Sequence, residues 1–277
     1  MDDTNDRGGA DPRIGVVGCG RMGSSMVGHL LDFRRTVVVY DVTSAAVDPL
    51  VSRGATAATH VSEVAEGSDV MLVIVVDDQQ TKDVVLGEDG LLASASPGDV
   101  IALAASIHPR TCEEIGAAAK DTGVHVIDAA LVGGERGAEL GNLTVFCGGD
   151  STAVARLGVA LSPCATTIIR VGELGAGQVA KTANNVLMWA ALRVDVEALR
   201  LARAFGVEPS TLRAALRVGT GGNQPLGDWG LHRLRWPTKD LEVASGMAAD
   251  VGLETPLIDS LVPLMAQLTR EDLEELR

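Results

Sequence analysis

Positive charge is scarce in this sequence. Its 277 residues hold 23 Lys and Arg against 37 Asp and Glu, a formal net charge of −14. That balance argues against nucleic acid or an anionic membrane as a main partner. Any anionic ligand must be held by a local site that works against the overall field. Cysteine is scarce as well. Cys19, Cys112, Cys147 and Cys164 lie far apart, with no C-x-x-C. Such thiols are expected to be buried and unpaired, in a reducing, cytoplasmic compartment. The five histidines show no metal-ligand spacing, so no metal site is expected. No run of 18 apolar residues is free of polar interruption, so no membrane-spanning helix is expected. No repeat recurs at the solenoid periods. The opening MDDTNDRGGADP (1–12) is acidic and glycine-rich, unlike a signal peptide, and reads as an unordered tail.

What remains is a globular composition, 46% hydrophobic and 22% charged, long enough for one large or two medium domains. Short apolar runs punctuate residues 13–174. RIGVV (13–17), TVVVY (36–40), VMLVIVV (70–76), Val100–Ala104, VHVID (124–128), Leu143–Cys147 and Thr166–Val171 read as buried strands. Helical spacing lies between them. Alternation of this kind predicts an α/β domain: a doubly wound, mostly parallel sheet of Rossmann type, covered on both faces. Ligands in such sheets sit beyond the carboxyl ends of the strands. Asp77-Asp78 is expected to open a loop at one such end. His108, just before Pro109, is tempting as a base but reads more plainly as surface.

Between the first strand and the first helix stands Gly18-Cys19-Gly20-Arg21-Met22-Gly23, and the second strand ends at Asp41. Each part of this G-x-G-x-x-G pattern has a task. Gly18 permits the tight turn, Gly20 lets a pyrophosphate approach the backbone, and Gly23 lets helix and strand pack closely. The helix start offers free N–H groups to phosphate. Asp41 can accept from ribose hydroxyls and would repel a 2′-phosphate, which favours NAD over NADP. Arg21 could touch a phosphate or be solvated.

From Gly175 to Gly206 no proline interrupts a helical pattern of about 29 residues, roughly 45 Å at the α-helical rise. Its length suits a connector into an all-helical second domain, residues 175–277, with further helices over 209–218, 238–250 and 256–268. Gln178, Lys181 and Asn185 share one face of the long helix. A lysine there is either a surface residue or a proton donor and acceptor in a cleft. Trp236 is expected in the core, and Trp229 in the core or over a cleft.

Four stretches together resemble the β-hydroxyacid dehydrogenase family, over nearly the whole chain. They are GVVGCGRMGSSMVGHLL (15–31), DAALVGGERGAELGNLTVFCGG (128–149), GAGQVAKTANNVL (175–187) and KDLEVA (239–244). The resemblance implies NAD(P)-linked hydride transfer between a 3-hydroxy acid, or a related alcohol or carbonyl, and nicotinamide. Lys181 would be the general acid/base and Asn185 would position the substrate. Gly133 and Gly134 would offer backbone N–H groups to a substrate carboxylate, beside Val132. Ser106 would lie between substrate and nicotinamide. The glycine turn, from Gly18 to Gly23, would hold the cofactor with Asp41 and Val42. Val75, Val76 and Lys239 would add further contacts. No metal is implied, and the partners are a small-molecule substrate and a second copy of the chain, as a homodimer or larger homo-oligomer.

The family usually reads D-A-P-V-S-G-G where this chain has Asp128 to Gly134, so Val132 replaces a serine. Ala105-Ser106 keeps one hydroxyl of a usual pair, and Leu103 replaces an aspartate. Two alternatives follow from these departures: a reductase of an imine or bulkier carbonyl, and a nucleotide-binding protein without turnover.

Overall fold

The apolar runs become strands because both faces of the sheet are covered. The computed structural model describes residues 11–231 and 233–277. Most of the segment expected to form a tail, residues 1–10, lies outside the described residues. The chain runs β1 (Ile14–Val17), α1 (Arg21–Asp32), β2 (Val37–Tyr40), α2 (Ser44–Val51), β3 (Thr56–Ala57), α3 (Val61–Glu66) and β4 (Val70–Val73). It continues through α4 (Asp78–Leu86), α5 (Leu91–Ser94), β5 (Val100–Leu103), α6 (Pro109–Ala119), β6 (His125–Val132) and α7 (Gly134–Leu140). Then come β7 (Leu143–Gly148), α8 (Ser151–Leu161) and β8 (Ala165–Gly172).

Among the described residues these strands form one eight-stranded sheet, ordered β3-β2-β1-β4-β5-β6-β7-β8. Every pairing is parallel except β6 with β7. The order reverses between β1 and β4, and such a switch point opens a crevice at the strand ends. Alternate residues feed two separate cores, as the two-residue period of a strand requires. Ile14, Val16, Val70, Leu72, Val100 and Ala102 face one layer, with Met26, Val27 and Leu30 of α1. Val17, Met71, Val73, Ile101 and Leu103 face the other, with Cys112 and Ile115 of α6.

The strand expected over 70–76 stops at Val73. Ile74 donates its N–H to Val17 O at 2.8 Å, and the chain then passes over the glycine turn. The Asp77-Asp78 loop is instead a helix start. Asp77 caps α4 by accepting from Gln80 N, and Asp78 lies in the first turn. The two-residue edge strand β3 carries no apolar run and was not legible as a strand.

The second compact unit runs Thr182–Arg277. Its elements are most of α9 (Ala176–Ala204), then α10 (Pro209–Leu216), α11 (Gln224–Gly227), α12 (Pro237–Asp250), α13 (Pro256–Ala266) and α14 (Arg270–Glu274). Among the described residues it holds no strand. The first turns of α9, through Lys181, belong with the sheet unit, to which main-chain bonds hold them. Trp189, Leu192, Val196 and Leu199 form the buried stripe of α9, packed with Trp229, Leu241, Leu261, Met265 and Leu273. Trp229 is a core residue, its indole donating to Leu273 O at 3.0 Å. Trp236 is not: it is 58% exposed, and the Lys239 ammonium sits 5.6 Å from its ring centroid. As the residue preceding Pro237 at the start of α12, it projects from a helix end.

Candidate active site

The glycine turn is shaped by close backbone contacts. Gly18 has φ +99°, and a Cβ there would lie 2.2 Å from Ile74 O. A Cβ on Gly23 would lie 2.0 Å from Gly18 O. Both positions therefore require glycine, one for the turn and one for packing α1 against it. Gly20 differs, since a Cβ there would meet nothing within 4 Å. It borders open space at the start of α1, where no side chain caps the helix. Asp41, at the end of β2, accepts from Cys19 N and from Thr43 N, each at 2.8 Å. Its carboxylate is thus fixed beside the turn. Turn, helix start and carboxylate fit the phosphates and ribose of a dinucleotide. Arg21 pairs with Glu135 of α7 at 3.1 Å, so its guanidinium already has an acidic neighbour. Met22 packs partly buried against the core, and Val42 is 90% exposed beyond Asp41. Cys19 is buried within the turn, and burial and the Asp41 charge push its thiol up to about 12.

Val75 and Val76 follow β4, and Val76 is 68% exposed. Ser106 follows β5 and is exposed. Val132 ends β6, half-buried and in register with Thr144 of β7. Gly133 and Gly134 come next, with φ +110° and +60°. These segments leave the same edge of neighbouring strands β1, β4, β5 and β6.

Lys181 lies within two turns of the start of α9, and its Nζ donates to Ser106 Oγ at 2.6 Å. The contact joins residues 75 apart in sequence. Gln178, one turn earlier, is buried and donates its amide to Ala105 O at 2.8 Å. Asn185 lies one turn further along α9, half-buried, and accepts from Asn184 Nδ2 at 3.3 Å. Lys239 is in the first turn of α12.

Two residues gained roles that the sequence alone did not assign. Asp128, fully buried in β6, accepts from Gly175 N at 2.6 Å and Gln178 N at 2.8 Å. Its position within the 128–149 motif was the available signal, but its partners are remote in sequence. His108 is half-buried, not plain surface. Its Nδ1 accepts from Arg110 N at 3.2 Å at the start of α6, and its main-chain N–H donates to Asp78 Oδ1 at 2.8 Å. Among the described residues no group of His, Cys, Asp and Glu has the geometry of a metal site. No helix among them is long and apolar enough to cross a membrane.

Residues 13–172 match the family model described as the NAD binding domain of 6-phosphogluconate dehydrogenase. Residues 175–276 match the one described as NAD-binding of NADP-dependent 3-hydroxyisobutyrate dehydrogenase. A 3-hydroxyisobutyrate dehydrogenase of Pseudomonas aeruginosa is 32% identical over 261 residues, 88% of each chain. An NAD-dependent L-serine dehydrogenase of the same organism is 35% identical over 214 residues, 77% of this chain and 72% of its own. The structure of Mycobacterium tuberculosis 3-hydroxyisobutyrate dehydrogenase with L-serine superposes with a TM-score of 0.85 at 24% identity. It covers 97% of this chain and 100% of its own, a likeness that shows the fold.

Proposed function

The chain belongs to the β-hydroxyacid dehydrogenase family of NAD(P)-dependent oxidoreductases, and from that premise we propose that it oxidises the hydroxyl of a small 3-hydroxy acid, or reduces the matching carbonyl, with Lys181 moving the proton. The observation that carries this reading is the Lys181–Ser106 contact of 2.6 Å at the carboxyl edge of the sheet. When bound, the nicotinamide supplies the hydride acceptor.

The chain's own residues hold the hydroxyl and move its proton. In oxidation, the amine form of Lys181 accepts the hydroxyl proton as the carbon–oxygen double bond forms, and in reduction the ammonium returns it. The Ser106 hydroxyl, 2.6 Å from Nζ, orients the lysine and can share the substrate oxygen. Asn185, one turn along the same helix, holds the substrate in line. The main-chain N–H groups of Gly133 and Gly134 receive a substrate carboxylate. Val132 has no hydroxyl to assist them, so the backbone carries that contact.

The cofactor is NAD in preference to NADP. The Asp41 carboxylate is held rigidly by two backbone N–H groups, and it would meet a 2′-phosphate with like charge. Gly18, Cys19, Gly20, Arg21, Met22 and Gly23 form the phosphate turn. Val42, Val75 and Val76 add further cofactor contacts within the same unit. Residues 13–174 form the dinucleotide-binding domain and 175–277 the helical substrate and dimerisation domain. The protein acts as a homodimer or larger assembly. Leu187, Val194 and Leu201 recur along α9 and are 71%, 62% and 64% exposed, and Phe205, in the turn just after it, is 81% exposed; this apolar stripe supports the assembly. A monomer mass by light scattering would overturn it. Four unpaired, buried cysteines support a cytoplasmic setting.

The test is a spectrophotometric scan for reduced nicotinamide, with NAD and NADP separately, across 3-hydroxy acids, alcohols and their carbonyls. Lysine-dependent turnover with a 3-hydroxy acid is the expected result. Val132 favours a second reading, a bulkier carbonyl or imine as substrate. Turnover of cyclic imines with none of hydroxy acids would select that reading.

A further inference from the structure

We propose that Asp128 is a positioning residue for Lys181. Its carboxylate clamps the start of α9 to β6, and the clamp, extended by Gln178, sets where the lysine meets Ser106. The inference rests on the role proposed above for Lys181.

Where a side chain caps another helix of the sheet unit, it comes from that helix's own segment, as His108 does for α6. Asp77 caps α4 and Asp150 caps α8, each from the position just before the helix. The cap of α9 comes instead from a strand 47 residues earlier. Gly175 precedes α9 with φ +96°, a conformation that strains the usual capping side chains. Asp128 takes over the task from outside. One oxygen accepts from Gly175 N and the other from Gln178 N, the backbone donors at the positive end of a 29-residue helix.

The surroundings are cut to this carboxylate. A Cβ on Gly148 would lie 2.4 Å from Oδ1, and one on Gly177 would lie 2.5 Å from Oδ2. Neither a longer acid nor a side chain at those glycines fits. Gln178 then closes a triangle. Its main chain is bonded to Asp128 on β6, and its side-chain amide to Ala105 O beyond β5. β5 and β6 are themselves paired, with Leu103 in register with Asp128. Lys181 lies one turn past Gln178, and Ser106 is the residue after Ala105. The 2.6 Å contact between them is thus fixed at both ends by the same frame. Further along β6 the chain delivers Val132, Gly133 and Gly134. One buried acid therefore sets both the lysine and the segment proposed to hold the substrate carboxylate.

Burial pushes the Asp128 carboxyl up, while the N–H groups of α9 oppose the shift. A buried carboxylate of this kind is costly unless its bonds are made.

The experiment uses the full chain and compares the parent with Asp128→Asn and Gln178→Met. Asp128→Asn keeps shape and one acceptor but turns the other towards the Gln178 N–H as a donor. Gln178→Met keeps the carboxylate and removes only the bond to Ala105 O. Three readouts are taken: kcat and KM, NADH affinity by fluorescence, and carbon-13 NMR after reductive methylation. The chain has four lysines, Lys82, Lys120, Lys181 and Lys239, so each signal is assignable by substitution. The expected result is a Lys181 signal that moves while the other three stay. NADH affinity holds, and kcat falls by about tenfold to a hundredfold through misplacement. An unmoved Lys181 signal in both variants overturns the proposal. So does a joint fall of kcat, NADH affinity and thermal midpoint with all four signals shifted, which marks a purely structural role. If Asp128→Asn does not fold, Gln178→Met decides by the same criteria. The NMR readout needs no turnover, so a failure of the dehydrogenase reading remains distinguishable from a failure of this one.

Discussion

Replacing Lys181 by alanine separates catalysis from folding. The side chain is half-buried, and its Nζ reaches an exposed hydroxyl, Ser106 Oγ, at 2.6 Å. The start of α9 is held by Asp128 and Gln178, which the truncation leaves in place. Water can replace the ammonium at Ser106, so the loss of stability is expected to stay below about 1 kcal/mol, a thermal shift of no more than ~4 °C. Proton transfer has no such substitute. A positioned general acid/base contributes about 10²–10⁴-fold, roughly 3–5 kcal/mol of barrier. The expected variant therefore melts near the parent, binds NADH like the parent, and turns over about 10²–10⁴ times more slowly. Ser106→Ala removes one bond to a charged group, worth ~1.5–3 kcal/mol, and should slow turnover by roughly tenfold to a hundredfold. The two effects should not add. Once the lysine is gone Ser106 has little left to orient, so the double variant should match Lys181→Ala. Steady-state assays on the four proteins, with the best substrate of the panel, measure this directly. A Lys181→Ala enzyme within about threefold of the parent, less than ~0.7 kcal/mol, would refute the reasoning.

Three further outcomes are expected. Asp41→Ser removes the charge held beside the glycine turn and should move the kcat/KM ratio towards NADP by roughly tenfold or more; an unchanged ratio would show that Asp41 does not choose the cofactor. Gly18→Ala places a Cβ 2.2 Å from Ile74 O at φ +99°. Backbone strain alone costs about 1–3 kcal/mol, so calorimetry should show a midpoint lower by several degrees, together with lost NADH affinity. A Gly18→Ala variant that melts and binds normally would contradict the turn geometry. Val132→Ser should raise kcat/KM for 3-hydroxy carboxylates by about tenfold or more, and equal values for acids and uncharged alcohols would place the carboxylate elsewhere.

Much of the fold was open to reading along the chain because its causes are local. A strand covered on both faces must be apolar at every position, so VVVY and VIAL stand out as runs. The glycine turn is legible for a similar reason. Gly18 and Gly23 answer to contacts with backbone, and only one residue type meets them. The long helix is bounded by Gly175 and Gly206, both with positive φ, and its buried stripe keeps helical spacing. Lys181 was visible as a polar break in an apolar face, but its partner was not.

Tertiary structure decided what depends on partners remote in sequence. VMLVIVV continues as an apolar run after β4 ends, because Ile74 to Val76 bend over the glycine turn. Hydropathy cannot mark that bend. Trp236 is apolar by composition, yet it sits at a helix end with Lys239 across its ring. Asp128 is the clearest case. Its place in the 128–149 motif marked it, but hydropathy could not show what it bonds, since its partners are two N–H groups about 50 residues away. Periodicity records which face of an element is buried. It does not record which backbone donor will meet a buried carboxylate, and here that meeting joins Lys181 to the sheet.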